Sequence, residues 1–207
     1  MDKLNFKIIL GRIFMGKLSG TKTSECLARA FAGESQARNR YTFYAEYAKH
    51  EGHSAIEQEI KVIANNELAH AKVFYDFLVD GMGSGNNNVN VNGGYPFELG
   101  DTVANLQAAA DGEHEETSLY PSFADVAKQE GFPAIEAAFR MIANIERDHE
   151  QKFLQLKTEL EQQTLYHKKQ PVQWYCTNCG HIHQGTDAPA LCPVCKHPQG
   201  WFEVKQN

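Results

Sequence analysis

Apolar residues recur every three or four positions through four long stretches of this chain, the period of an amphipathic helix. The first, 22–50, puts Leu27, Phe31, Glu34, Arg38, Tyr41, Ala45 and Ala48 on one stripe. The second, 54–80, aligns Ile56, Ile60, Ile63, Glu67, His70, Phe74 and Phe77. The third, 102–130, aligns Val103, Leu106, Ala110, Glu113, Thr117, Tyr120, Phe123 and Ala127. The fourth opens at Pro133, a favoured first-turn residue, and carries Ile135, Phe139, Ile142, Glu146, His149, Phe153, Leu156 and Leu160.

Gly52 and Gly131 punctuate the pattern, so short turns make the first two helices antiparallel neighbours, and likewise the last two. Between the pairs runs GMGSGNNNVNVNGGYPFELGD, rich in Gly and Asn. About twenty extended residues reach over roughly 60 Å, whereas a helix of about 27 residues is roughly 40 Å long. The linker can therefore cross a whole bundle. A floppy inter-domain tether is the competing reading, and it fails because neither hairpin could bury its stripe alone. The prediction is an all-α, ferritin-like four-helix bundle with one long crossover.

The stripes contain charges. Glu34, Glu67 and His70 recur as Glu113, Glu146 and His149 at a constant offset of 79 residues. The echo extends to Gly33/Gly112, Tyr41/Tyr120, Glu51-Gly52/Glu130-Gly131 and Phe74/Phe153. An unpaired buried carboxylate is costly, and four converging ones repel unless a cation lies between them. Two divalent metals balance four carboxylates, and two neutral imidazoles complete the ligand set. Glu and His at i and i+3 face the same way on a helix. Mixed oxygen and nitrogen ligation suits iron or manganese better than calcium or magnesium. A single Glu-x-x-His is weak; the doubled pattern on four stripes is strong. Tyr41 and Tyr120 follow their glutamates by seven residues and either hydrogen-bond ligand oxygens or simply pack in the core.

From Pro171 the composition changes. Cys176-x-x-Cys179 and Cys192-x-x-Cys195 fall within a segment rich in Gly, Pro and aromatic residues, too short for a core of its own. Two such knuckles make a tetrahedral thiolate site whose metal supplies the missing stability, and spacing alone leaves iron and zinc both open. Clustered cysteines argue for metal binding in a reducing, cytoplasmic compartment, not for a disulfide framework. Cys26 reads as a packing residue. The formal charge of −6 over 207 residues leaves no basic stripe for nucleic acid, and no apolar run approaches a membrane span. Residues 1–14, MDKLNFKIILGRIF, mix basic and apolar positions without a cleavage pattern. They read as a dispensable extension, with an organelle-type leader as the alternative. The domains expected are thus 1–14, a bundle over 15–166 and a metal module over 171–207.

The segments FAGESQARNRY (31–41), ELAH (67–70), LYPSFADVAKQEGF (119–132), ERDH (146–149) and WYCTNCGHIHQGTDAPALCPVCKHP (174–198) together resemble the rubrerythrin family. The resemblance covers essentially everything from Met15 onward. It implies a non-haem di-iron peroxidase that reduces hydrogen peroxide to water in oxidative-stress defence. It implies two iron ions on Glu34, Glu67, His70, Glu113, Glu146 and His149, and one iron on the four cysteines, replaced by zinc in some recombinant material. It implies a reductase or rubredoxin as electron donor, fed by NAD(P)H, and a homodimer. In the family, Glu-x-x-Glu on the third helix precedes the Tyr of Tyr-Pro by five residues; here Tyr120 follows Glu116 by four. The shorter spacing predicts a regular helix, because an extra residue would make a π-bulge. It leaves open whether Glu116, or Glu115, is a seventh ligand. A ferroxidase or iron-handling bundle and a metal-based peroxide sensor are the rival functions. An electron-feeding module favours the peroxidase, since ferroxidase chemistry draws its electrons from the iron itself.

Overall fold

A computed structural model of the chain describes residues 17–83, 85 and 87–205; the expected extension, 1–14, lies outside them. The four stripes form helices α1 (Lys22–His50), α2 (Ser54–Met82), α3 (Thr102–Gln129) and α4 (Pro133–Glu161). They build the four-helix bundle that the periodicity predicts. Helix α3 is regular α throughout, as its shortened spacing requires, even with Pro121 inside it.

Both hairpin turns close in the same way. Gly52 (φ +87°) donates its N–H to Lys49 O at 3.0 Å, and His53 donates to Ala48 O at 2.8 Å. Gly131 (φ +84°) and Phe132 repeat this on Lys128 O and Ala127 O, at 3.1 and 2.8 Å. This paired pattern satisfies the last carbonyls of a helix and needs a left-handed residue, here glycine. The start of α1 is capped by Thr21 Oγ1, which accepts the Ser24 N–H at 3.1 Å, and that of α3 by Asp101 Oδ1, which accepts from Ala104 at 2.8 Å.

The chain divides into two compact units. One gathers the chain up to Arg38 with Asn65–Pro96 and Gly112–Asp148; the other gathers Asn39–Ala64, Phe97–Asp111 and the chain from His149 onward. In the first, Leu27, Phe74, Tyr120, Phe123, Phe139 and Ile142 share a buried cluster. Phe74 stacks on Phe139 at 4.9 Å and meets Tyr120 edge-on at 5.6 Å. In the second, Phe153 packs edge-on against Tyr41 at 5.2 Å. This unit also holds a three-stranded antiparallel sheet in the order β2-β1-β3, from β1 (His167–Cys176), β2 (Ile182–Asp187) and β3 (Phe202–Val204). Trp174, Cys176, Ala188, Cys192 and Phe202 form the small core beside that sheet. The crossover 83–101 carries no helix or strand among its described residues. No helix among the described residues is long and apolar enough to cross a membrane.

Candidate metal centres

The helical stripes bring the charged positions together as expected. Glu34, Glu67 and Glu146 are fully buried and Glu113 nearly so, while His70 and His149 are buried. Two sets form, each with its ligand atoms within 4.8 Å of one another: Glu34, Glu67, His70 and Glu146, and then Glu67, Glu113, Glu146 and His149. Glu67 and Glu146 belong to both. Two metal positions that share two carboxylates follow directly from this overlap, with a Glu and a His private to each.

The electrostatics favour positive charge, metal or proton, among these carboxylates. His70 Nδ1 lies 2.9 Å from Glu146 Oε1, 3.2 Å from Glu67 Oε2 and 3.7 Å from Glu34 Oε2. Burial disfavours the charged imidazole, but the adjoining carboxylates of Glu146, Glu34 and Glu67 outweigh it and push its pKa up to about 12. Burial, reinforced by Glu146 and Glu67 and opposed by His70, lifts Glu34 well above the usual carboxylate range. Glu34 Oε2 is buried and accepts no hydrogen bond. Buried acceptors normally have partners, and a metal ion fits this one. The donor set of four carboxylates and two imidazoles suits iron.

Tyr120 donates its hydroxyl to Glu34 Oε1 at 2.6 Å, so it touches a ligand carboxylate as well as packing in the core. Burial, with Glu116 and Glu34 nearby, keeps its phenol protonated by raising its pKa. Tyr41 directs its hydroxyl to Ala109 O at 3.5 Å. Glu116 belongs to neither set. It is half-buried as a whole residue, yet its carboxyl end lies inside: Oε1 is 3.6 Å from where a Cβ on Gly33 would sit. Burial and the field of Glu34 and Glu113 hold its pKa well above normal. Glu115, the alternative, is exposed. Cys26 is half-buried against the core of the first unit, where burial pushes its thiol up to about 11. That is the packing role expected of it.

The four remaining cysteines cluster. Sγ atoms of Cys176 and Cys195 are 3.7 Å apart, and those of Cys179 and Cys192 3.6 Å. A disulfide needs about 2.05 Å. A tetrahedron with metal–sulfur bonds of about 2.3 Å has edges of about 3.8 Å, so the spacing is that of a metal site. The knuckles repeat at an offset of 16 residues. Cys176 N–H bonds His181 O and Cys192 N–H bonds His197 O, both at 2.8 Å, and Gly180 and Lys196 both take left-handed φ, +78° and +61°. The His197 N–H pulls Cys195 down to about 5. The His181 N–H does the same for Cys179, but burial and the neighbouring sulfurs outweigh it, taking that thiol up to about 12. Sulfurs this close cannot share negative charge without a cation among them.

Two features escaped the reading of the sequence. Glu130 accepts the N–H groups of Lys22 and Thr23 at 3.2 and 2.8 Å and the Thr23 hydroxyl at 2.6 Å; Glu51 accepts the Thr102 N–H at 3.0 Å. Each hairpin turn therefore caps the first helix of the other hairpin. The 79-residue echo of Glu51-Gly52 in Glu130-Gly131 was the available signal. The 16-residue repeat of Cys-x-x-Cys-x-His was the other.

Comparison with known proteins agrees with this geometry. The Rubrerythrin family model matches residues 25–157, and the model described as "Rubrerythrin, rubredoxin-like domain" matches 174–203. The chain is 50% identical to Rubrerythrin-1 of Clostridium acetobutylicum over 192 residues, covering 92% of this chain and 97% of that one. It is 44% identical to the rubrerythrin of Porphyromonas gingivalis, covering 92% and 94%. Among solved structures, nigerythrin in a mixed-valence state superposes with a TM-score of 0.58 at 28% identity, covering 91% of each chain. A bacterioferritin of Desulfovibrio desulfuricans, at 20% identity and a TM-score of 0.62 over 68% of this chain and 81% of that one, shares the fold. A paired carboxylate–histidine site in a ferritin-like bundle, a four-thiolate module in the same chain and half-identical relatives along nearly the whole length place this chain in the rubrerythrin family of di-iron oxidoreductases.

Proposed function

We propose that the chain reduces hydrogen peroxide to water, taking electrons through the four-cysteine iron and protecting the cell against peroxide. One observation carries the reading: a two-metal carboxylate site and a one-metal thiolate site occur in the same chain. Peroxide needs two electrons and two protons to become two waters. A pair of metals can give two electrons together, whereas a thiolate-bound iron accepts them singly. In this reading Glu34, His70, Glu113, His149, Glu67 and Glu146 would hold the two irons, with Glu67 and Glu146 common to both residue groups. Cys176, Cys179, Cys192 and Cys195 hold the third. When bound, the iron pair supplies the electrons that peroxide accepts.

The chain's own residues supply orientation. Tyr120 fixes one oxygen of Glu34 with a 2.6 Å hydrogen bond and leaves the other for metal. The buried apolar stripes around the carboxylates keep bulk water away, which strengthens every interaction within. Glu116, close by but in neither set, is the candidate seventh ligand. A Glu116→Ala variant with full metal content and full peroxide-dependent activity would exclude it. A rubredoxin or an NAD(P)H-fed reductase donates electrons to the thiolate iron, in the cytoplasm, to a homodimer. The 15–166 and 171–207 segments act as catalytic and electron-entry domains. Anaerobic stopped-flow mixing of the reduced protein with hydrogen peroxide tests the reaction. Rapid oxidation is expected, and oxidation no faster than by air rules the peroxidase out.

A further inference from the structure

Gly200 is buried in the short 3-10 turn Gln199–Trp201, just before β3. A Cβ at this position would lie 1.6 Å from the carbonyl oxygen of Gly52 and 2.8 Å from its carbon. Both are backbone atoms, so no side chain fits without one backbone moving off the other. The four-cysteine module thus rests its main chain directly on the α1–α2 turn. Two polar contacts flank this point. Gln58 Nε2, on α2, donates to Thr177 Oγ1 at 3.1 Å. His53 Nδ1 and Tyr166 OH are 2.9 Å apart, with the rings stacked at 6.0 Å. Burial lowers the His53 pKa and raises that of Tyr166, which favours a neutral imidazole accepting from a neutral phenol. Thr177 stands inside the first knuckle, and both its N–H and its hydroxyl donate to Trp201 O, at 2.8 and 3.2 Å. Gln58, Thr177 and Trp201 therefore tie α2 to the cysteine knuckle and to the turn that holds Gly200.

We propose that Gly52, Gly200, Gln58 and Tyr166 are positioning residues that seat the four-cysteine module on the α1–α2 turn of its own chain, and that electron delivery depends on this seat. The second half rests on the electron-entry role proposed above. Residues 162–166 alone join α4 to β1, and so short a link fixes the module's distance but not its orientation. The seat supplies the orientation.

The full-length, iron-loaded protein tests this with Gly200→Ala and Gln58→Ala. Four quantities are measured: amide hydrogen exchange over 52–58 and 199–201, the visible band of the thiolate iron, reductase-driven peroxide turnover, and oxidation by peroxide of protein already reduced with dithionite. Gly200→Ala is expected to speed exchange in both segments and to slow reductase-driven turnover by about ten- to a hundredfold, the upper end being the cost of an ångström-scale misplacement. The visible band and the oxidation of pre-reduced protein should stay at wild-type values. Wild-type exchange in Gly200→Ala overturns the seat, and faster exchange with unchanged turnover overturns its role in delivery. If Gly200→Ala loses the visible band, Gln58→Ala decides, because it removes one hydrogen bond without a steric change. The same pattern at smaller amplitude supports the proposal, and wild-type behaviour in both exchange and turnover sinks it. If pre-reduced wild-type protein fails to react with peroxide, the peroxidase reading falls, while the exchange measurement still reports on the seat.

Discussion

Metal and proton compete for the same carboxylates, and Glu34→Gln separates the two. In its set, the ligand atoms of Glu34, Glu67 and Glu146 lie within 4.8 Å of one another. At an effective dielectric of about 20, two unit charges that far apart repel by about 3.5 kcal/mol. Three ionised carboxylates give three such pairs, and Glu34 takes part in two. Proton uptake relieves this in metal-free protein; burial first, and then the repulsion from Glu146 and Glu67, raise the Glu34 pKa well above that of a normal glutamate. A carboxyl whose folded pKa is raised stabilises fully below its unfolded value, near 4.5, and loses that contribution as pH rises toward the folded value. His70 acts in the same direction. Its raised pKa gives a contribution that is full below about 6.5 and lost as pH rises toward about 12. Chelator-stripped protein should therefore be more stable to urea at pH 5 than at pH 7.5. Glu34→Gln removes one charge at nearly constant volume, so the stripped variant should exceed stripped wild type at pH 7.5 by about 1–3 kcal/mol and show a flatter pH profile. With iron bound the order must reverse, because the variant lacks a ligand. A stripped Glu34→Gln protein less stable than stripped wild type at pH 7.5 refutes the account of mutually frustrated carboxylates.

Three further outcomes follow from the geometry. Tyr120→Phe deletes the hydroxyl that bonds Glu34 Oε1 in a buried site, so iron-loaded protein should lose about 1.5–3 kcal/mol in urea melts and show a reduced iron content by metal analysis. Glu130→Ala removes the acceptor for Lys22 and Thr23 at the start of α1 and should cost about 0.5–1 kcal/mol, the low end for a cap because the carboxylate is exposed and solvent screens it. Burial is the largest single influence and opposes ionisation of Glu130, but the Thr23 and Lys22 donors together win and lower its pKa, so its contribution is present above about pH 4.5 and fades as pH falls through the folded value; the variant's deficit should vanish in acid melts. Cys192→Ser should abolish the visible thiolate-iron band and increase proteolysis over 167–204, while circular dichroism keeps the helices, because the small core around Trp174 depends on its metal.

The helices and the six clustered carboxylate and imidazole positions were readable from sequence because burial and chemistry marked the same residues. Apolar period set the stripe, and a glutamate inside a stripe is conspicuous because so few reasons justify burying it. Pro121 shows why local rules alone mislead. Its ring and missing N–H cost a helix interior about 3 kcal/mol, yet α3 continues, because the stripe from Leu106 to Ala127 is held by packing on both sides of it. What the sequence left hidden depends on three-dimensional proximity. Glu51 and Glu130 look like ordinary surface charges near helix ends, and only the folded chain brings them to the N-termini of the opposite hairpins. Likewise nothing at Gly200 signals that its missing side chain is required, since the demand comes from Gly52, far away in the chain. Tyr120 could be read either way until the bundle aimed its hydroxyl at Glu34.

The repeat is most informative where it breaks. Subtracting 79 from Glu113, Tyr120, Glu146 or His149 returns its twin, whereas Glu116 returns Ala37. Ala37 is buried and can ligate nothing, so the two metal positions have unequal surroundings. The inequality falls on one side. The Glu116 carboxyl approaches Gly33, next to Glu34 in the chain. The group around Glu34 and His70 thus has an additional carboxylate nearby, and the group around Glu113 and His149 has no twin of that carboxylate. A symmetric pair of metals would be expected to react at either ion. If Glu116 is the seventh ligand proposed above, its substitution should alter the spectroscopic signature of one metal and leave the other as it was, whereas an equal change at both, or at neither, refutes that assignment.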